Sequence, residues 1–147
     1  MALYIATIWC QIPSVRLLFE EIIDPAKRHQ LGQYFTNENL VDFILGFVVN
    51  KEDAFFADTT CGSGTFLIRI YDRLKHLSHQ INHNQLLEKI WGFDIAKFPA
   101  ELATINLFRQ NVSNFENFPR VRRTDIFKVN NGDSFDFPPP LASKVFK

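Results

Sequence analysis

Cysteine is nearly absent from this sequence, and its two copies, Cys10 and Cys61, stand far apart. That excludes a disulfide framework and the paired spacings of a zinc site, and it makes a reducing, cytoplasmic setting the default. Net charge is missing as well. Sixteen basic residues meet sixteen acidic ones, so the whole chain lacks the electrostatic footprint of a nucleic-acid-binding protein. Local basic clusters do exist, at Lys27, Arg28 and His29, at Arg69, Arg73 and Lys75, and at Arg120, Arg122 and Arg123. Each alone reads as a solvated face; if DNA is the partner, much of the basic surface lies elsewhere. No apolar run approaches the roughly 20 residues of a membrane span. The opening "MALYIATIWCQIPSVR" has neither a basic n-region nor a signal cleavage site, so no membrane partner is expected. Internal repeats are absent too.

What remains is a chain of 147 residues, 46% hydrophobic, with sixteen phenylalanines. It is one domain or part of one, long enough to bury a sizeable core, and core packing accounts for most of the phenylalanines. Residues 14–23, "SVRLLFEEII", carry apolar side chains at helical spacing behind a Ser14 N-cap. After the polar "DPAKRHQLGQYFT", Asn37 opens a second amphipathic helix with Leu40, Val41, Ile44, Leu45 and Val48 on one face. "AFFAD" reads as a short buried strand ending at Asp58. "TFLIRIYDRLKHL" reads as a helix with Phe66, Leu67, Ile70, Tyr71 and Leu74 on one face, and Gln85–Lys89 as a helical turn. "IWGFDI" is a second strand ending at Asp94, with Trp91 in the core. "AKFPAELATINLFRQN" is a further helix, and "RVRRTDIF" a third strand ending at Asp125. The tail "KVNNGDSFDFPPPLASKVFK" holds no clear element.

Strands alternating with helices at this spacing predict an α/β fold, a parallel sheet with helices on both faces. Ligands of such sheets bind outside the carboxyl ends of the strands, where Asp58, Asp94 and Asp125 would gather. Between the first strand and its helix stands "CGSG", whose Gly62 and Gly64 allow a tight turn and close approach of a ligand. The fingerprint G-x-G-x-x-G would need a third glycine where Leu67 stands, and no lysine follows to make a phosphate cradle. Asp94 also lies 30 residues after Gly64, where a nicotinamide-binding fold wants an acid about 20 residues on. An acidic rim suits a cationic, adenosine-containing ligand, of which S-adenosylmethionine is the common one. A plain β–α turn is the alternative reading of the glycines alone; the two further strand-end acids favour a cofactor site.

"GQYFT" at 32–36, "DTTCGSGTFL" at 58–67, "GFDI" at 92–95 and "TDIF" at 124–127 occur in the order seen in S-adenosylmethionine-dependent adenine-N6 DNA methyltransferases. Over about residues 14–127 the chain most resembles the modification subunits of type I restriction systems and related type II enzymes. Two prolines usual in that family are replaced, by Asn37 and Thr59. The resemblance implies a Rossmann-like methyltransferase fold with a partial parallel sheet over 32–147, preceded by a helical segment over 1–31. It implies that Tyr34, Phe35 and Thr36 wrap the methionine end of S-adenosylmethionine. Asp58 and the backbone of Cys61, Gly62, Ser63 and Gly64, with Phe66 after them, would hold its amino and carboxylate groups. Asp94 would accept both ribose hydroxyls, Ile95 would pack on the adenine, Asp125 would accept the adenine amine, and Ile126 would cover the other side of the ring. The implied partners are DNA and the specificity and restriction subunits of such systems.

The family's catalytic motif, Asn/Asp-Pro-Pro-Tyr/Phe, holds a target amine of a base flipped from the duplex. It is absent, so no catalytic residue is assigned: in "DFPPPL" Phe137 and Leu141 stand where the polar and aromatic residues belong. The expectation is a cofactor-binding part cut short before its catalytic loop, inactive alone, with an open sheet edge to complete. Alternatives are a non-catalytic module that binds cofactor or partner, or a fragment of an RNA or protein-glutamine methyltransferase. "GQYFT" ahead of the glycine loop favours DNA. His76, His79 and His83 fall at helical spacing but lack a cysteine or carboxylate beside them, so they read as a solvated helix end and no metal is assigned. Cys61 has no histidine to act as its base and reads as a packed residue.

Overall fold

The computed structural model describes residues 36–78, 80–114, 118–137 and 143–145. The expected helix at 14–23, the segment 1–31, and Tyr34 and Phe35 lie outside them. Helix α1 (Glu38–Val48) starts where the Asn37 side chain accepts the Asn39 N–H at 2.9 Å, satisfying one of the donors that a helix start leaves open. Helix α2 (Thr65–Leu77) buries Leu67, Ile70, Tyr71 and Leu74, with Phe66 partly covered, which is the face its spacing predicts. The expected face of α1 divides. Val41 and Leu45 are buried together with Val49 just beyond the helix, while Leu40, Ile44 and Val48 stay exposed. The three buried positions are four residues apart, one narrow row laid along α2.

Two arginines fasten these helices. Arg69 donates from Nε to Asp42 Oδ1 at 2.7 Å and closes a second bond to Oδ2, so the guanidinium holds the Asp42 carboxyl below its usual range. Arg73 donates to the Val49 carbonyl at 2.6 Å, filling an acceptor at the end of α1 that has no helical partner. This basic cluster is therefore a staple between helices.

Strands β1 (Phe56–Asp58), β2 (Ile90–Asp94) and β3 (Arg120–Arg123) form a parallel sheet in the order β1-β2-β3. Right-handed crossovers in that order place their helices on one face. There α2, α3 (His83–Glu88) and α4 (Lys97–Phe108) meet the sheet, around a core of Leu67, Leu74, Leu86, Ile90 and Leu107.

Among the described residues the other face carries a hairpin rather than the helices expected on both sides. Successive strand residues point to opposite faces, so Trp91 and Phe93 look away from the helices. They are met there by Phe135 and Phe137, with ring centroids 5.5 Å apart for Phe93–Phe135 and 5.7 Å for Trp91–Phe137. Phe135 sits in β4 (Ser134–Asp136), which pairs antiparallel with β5 (Ser143–Val145). The tail thus carries a hairpin where none was expected; the prolines between its strands lie outside the described residues. Arg120 stands over the Trp91 ring, and Arg122 donates to the Asp136 carbonyl at 2.9 Å, so a second basic cluster is spent internally.

Two further expectations change. Strand β3 stops at Arg123, and Asp125 instead caps a 3₁₀ turn (Ile126–Lys128) by accepting the Phe127 N–H at 3.2 Å, a local bond that competes with the ladder. His83 is buried at the start of α3, 2.8 Å from the Tyr71 hydroxyl, whereas exposed His76 lies 2.7 Å from the Asp72 carbonyl. They do not share an open helix face, and His79 lies outside the described residues.

The hairpin has a direct stability test. Phe137→Ala should cost about 3 kcal/mol in urea unfolding, as for a buried phenylalanine, whereas Phe127→Ala, at a position 96% exposed, should stay within about 0.5 kcal/mol.

Candidate functional site at the strand ends

The carboxyl ends of β1 and β2 and the start of α2 converge on the segment from Asp58 to Gly64. Asp58 closes β1 and turns its Oδ1 back to the Thr60 N–H at 3.1 Å. Cys61 then donates its N–H to the Phe93 carbonyl at 2.8 Å, and Gly62 donates to Asp94 Oδ2 at 2.9 Å. The other Asp94 oxygen accepts the Ala96 N–H at 2.8 Å. Gly64 donates to the Cys61 carbonyl at 2.8 Å. The glycine loop is thus laced to the end of β2 by backbone and carboxylate together.

Both glycines are required by conformation, with φ of 52° at Gly62 and 87° at Gly64, the left-handed region that side chains disfavour. Gly64 is also pressed by packing: a Cβ there would sit 3.0 Å from Ala103 on α4, whereas one at Gly62 would meet open space. Cys61 is buried, and burial first, then the charges of Asp58 and Asp94, pushes its thiol far above the ordinary range. Such a thiol is inert as a nucleophile, in accord with the packing role expected of it.

Electrostatically the site is a negative rim beside a positive helix end. Burial raises the Asp58 carboxyl above its usual value, the Thr60 N–H pulls it down, and nearby Asp94 raises it again. α2 begins at Gly64 with no side-chain cap and no acid in its first turn, so no carboxylate offsets the positive end of its dipole there. Ser63 is 3% exposed, and its Oγ has no hydrogen-bond partner among the described residues. Acceptors for cationic and hydroxyl groups thus stand next to donors for an anion.

The sequence-assigned residues fall into three sets. Asp58, Cys61, Gly62, Ser63, Gly64 and Asp94 form the connected unit just described. Ile95 is 69% exposed next to it, and the Arg123 Nε donates to its carbonyl at 3.1 Å. Asp125 lies on the adjoining turn after β3, its Oδ2 3.7 Å from Lys128 Nζ. Ile126 packs against the Trp91–Phe93–Phe137 cluster behind the sheet, and Phe66 against the helical core. Thr36 is half-buried at the start of the described chain. Asn106 was missed by sequence reasoning: buried on α4, it donates from Nδ2 to the Ser63 carbonyl at 2.9 Å. A polar residue within the apolar row of "LATINLF" was the available signal.

A family model described as N-6 DNA Methylase matches residues 19–136. Among solved structures, one described as a modification subunit of a type I restriction enzyme from Vibrio vulnificus YJ016 shares the fold, with a TM-score of 0.55 at 19% sequence identity. The likeness covers 71% of this chain and 22% of that one, so the chain spans about a fifth of that subunit's length. No curated protein matches the chain.

Two outcomes follow from the loop. Gly64→Ala should lower the melting temperature more than Gly62→Ala, because it meets both the backbone and the Ala103 penalty. For Asp58, the raised folded-state value means that ionisation opposes folding. That penalty is absent below the ordinary value of 3.8, grows as pH rises from there through the raised folded-state value, and is complete above it. Asp58→Asn should therefore raise the melting temperature of the ligand-free chain at pH 7 and have little effect near pH 3.

Proposed function

The chain belongs to the N-6 DNA methylase family, and from that premise we propose that its strand-end rim is the S-adenosylmethionine site of a site-specific DNA adenine-N6 methyltransferase of a restriction-modification system. The observation that carries this reading is the convergence of Asp58 and Asp94 on the start of α2, which has no side-chain cap, with Ser63 Oγ buried there and unpartnered among the described residues. The donor set fits the cofactor: carboxylates for an ammonium and hydroxyls, and helix N–H groups for a carboxylate.

When bound, the cofactor supplies a sulfonium-borne methyl group for transfer to an amine. The chain's own residues bind and orient it. Asp58 takes the amino group. The N–H groups of Cys61, Gly62 and Gly64 are already committed inside the protein, so the carboxylate is assigned to the positive end of the α2 dipole and to Ser63 Oγ. An ionised carboxylate offers about four acceptor directions. Asp94 spends two on Gly62 and Ala96 and keeps others for the ribose hydroxyls. Ile95 packs on the adenine, Asp125 accepts its amine, and Ile126 is assigned the other side of the ring. Thr36 is assigned to the methionine end, as are Tyr34 and Phe35, which lie outside the described residues, and Phe66 supports the loop from the core.

DNA, and the specificity and restriction subunits of such a system, are the partners of the intact enzyme in this reading. The sequence holds no Asn/Asp-Pro-Pro-Tyr/Phe motif, so nothing in it would orient a target amine. Alone, the chain binds cofactor without methylating. That same absence favours, as the second reading, a non-catalytic module that binds cofactor for a partner.

Calorimetric titration with S-adenosylhomocysteine tests the site. The chain should bind saturably, and Asp94→Ala, checked for retained folding by thermal melting, should weaken binding tenfold or more. A folded wild-type chain that binds nothing contradicts the assignment. Incubated with labelled S-adenosylmethionine and DNA, the chain alone should transfer no methyl group.

A further inference from the structure

Asparagine is a poor choice for the interior of a helix, yet Asn106 sits in the last turn of α4, 3% exposed between the buried Ala103 and Leu107. Among the described residues its side chain makes one bond, 2.9 Å from Nδ2 to the Ser63 carbonyl. Ala103, three residues earlier on the same helix face, meets the position next to Ser63, where a Gly64 Cβ would lie 3.0 Å from its Cα and Cβ. Helix α4 therefore grips two consecutive loop residues, one by a hydrogen bond and one by contact. The Asn106 backbone is tied in turn, its carbonyl accepting the Gln110 amide at 3.1 Å.

We infer that Asn106 is a positioning residue: through the Ser63 carbonyl it fixes the peptide plane that joins Ser63 to Gly64, and so sets the aim of Ser63 Oγ and of the first-turn N–H groups of α2. The inference rests on the cofactor site proposed above. It adds that α4, which contributes no predicted ligand contact, determines how well that site binds. Without the Asn106 amide the Ser63 carbonyl is a buried acceptor with no partner, and the peptide gains by rotating toward water. Rotation would break the Gly64 N–H bond to the Cys61 carbonyl and misalign the helix start. Polar recognition tolerates little misplacement, so the effect should appear in affinity beyond any change in overall stability.

The test compares the full chain with Asn106→Leu, which keeps the branched shape at a somewhat larger volume and removes the donor, and Asn106→Ala, which serves if the larger side chain does not fold. Phe137→Ala is the control, destabilised on the opposite face of the sheet without touching the loop. S-adenosylhomocysteine affinity is measured below every melting temperature, and hydrogen exchange of the Gly64 amide is followed by NMR in the ligand-free protein. The expected result is at least tenfold weaker binding for the Asn106 variants, with Gly64 exchange at least tenfold faster relative to the amides of β2, and Phe137→Ala binding within twofold of wild type. Asn106 variants that bind within twofold of wild type overturn the inference. So does a Phe137→Ala chain that loses affinity as much as they do, because the effect is then general destabilisation. A wild-type chain that fails to bind overturns the cofactor site itself, and unchanged Gly64 exchange would then reject the clamp independently.

Discussion

The carboxylate of Asp94 is the joint on which the site depends. It stands at the end of β2, takes the Gly62 N–H with one oxygen and the Ala96 N–H with the other, and so joins strand, glycine loop and the start of α4. A hydrogen bond from a neutral N–H to an ionised carboxylate is among the stronger ones available to a protein, and this carboxylate makes two. Around it the glycine loop turns through left-handed conformations, the Cys61 N–H finds the Phe93 carbonyl, and α4 closes against Gly64. One residue thus builds the loop, and in the proposed reading it also faces the ligand. Such double duty makes the site sensitive to small changes far from the ligand itself.

The sheet beneath is arranged to hold that joint still. Gly92 lets α2 approach: a Cβ there would lie 2.6 Å from the Leu67 side chain and 3.3 Å from Cys61 Sγ. On the reverse face Trp91 and Phe93 stack at 6.1 Å and are sealed by the hairpin phenylalanines. The strand that carries Asp94 is therefore packed from both sides, by helices on one and aromatic rings on the other. Rigid support is what a set of aimed polar groups requires.

Much of this was legible in the sequence because it rests on local rules. Helix α2 matches its apolar spacing residue for residue, and three strands followed by turn residues place Asp58 and Asp94 at strand ends. What was not legible is set by partners distant in sequence. Phe135 and Phe137 alternate as a strand requires, but two residues between polar neighbours and prolines are a faint signal until Trp91 and Phe93 supply the surface they cover. Asp125 reads as a strand end, yet its side chain prefers the Phe127 N–H and ends the ladder early. The two arginine clusters were legible as positions but not as roles. Only the fold shows that Arg69 and Arg73 fasten α1, that Arg120 stands over Trp91, and that Arg122 holds the hairpin.

Mapping the ligand onto the backbone tests the central claim most directly. In an amide correlation spectrum of the full chain titrated with S-adenosylmethionine, the account predicts shifts concentrated at Gly62, Ser63 and Gly64, at Asp94 to Ala96, and at Asp125 to Phe127. The hairpin residues Phe135 and Phe137, behind the sheet, should stay unmoved. Shifts confined to the hairpin or to α1, or a folded chain whose spectrum does not change at saturating ligand, would contradict it.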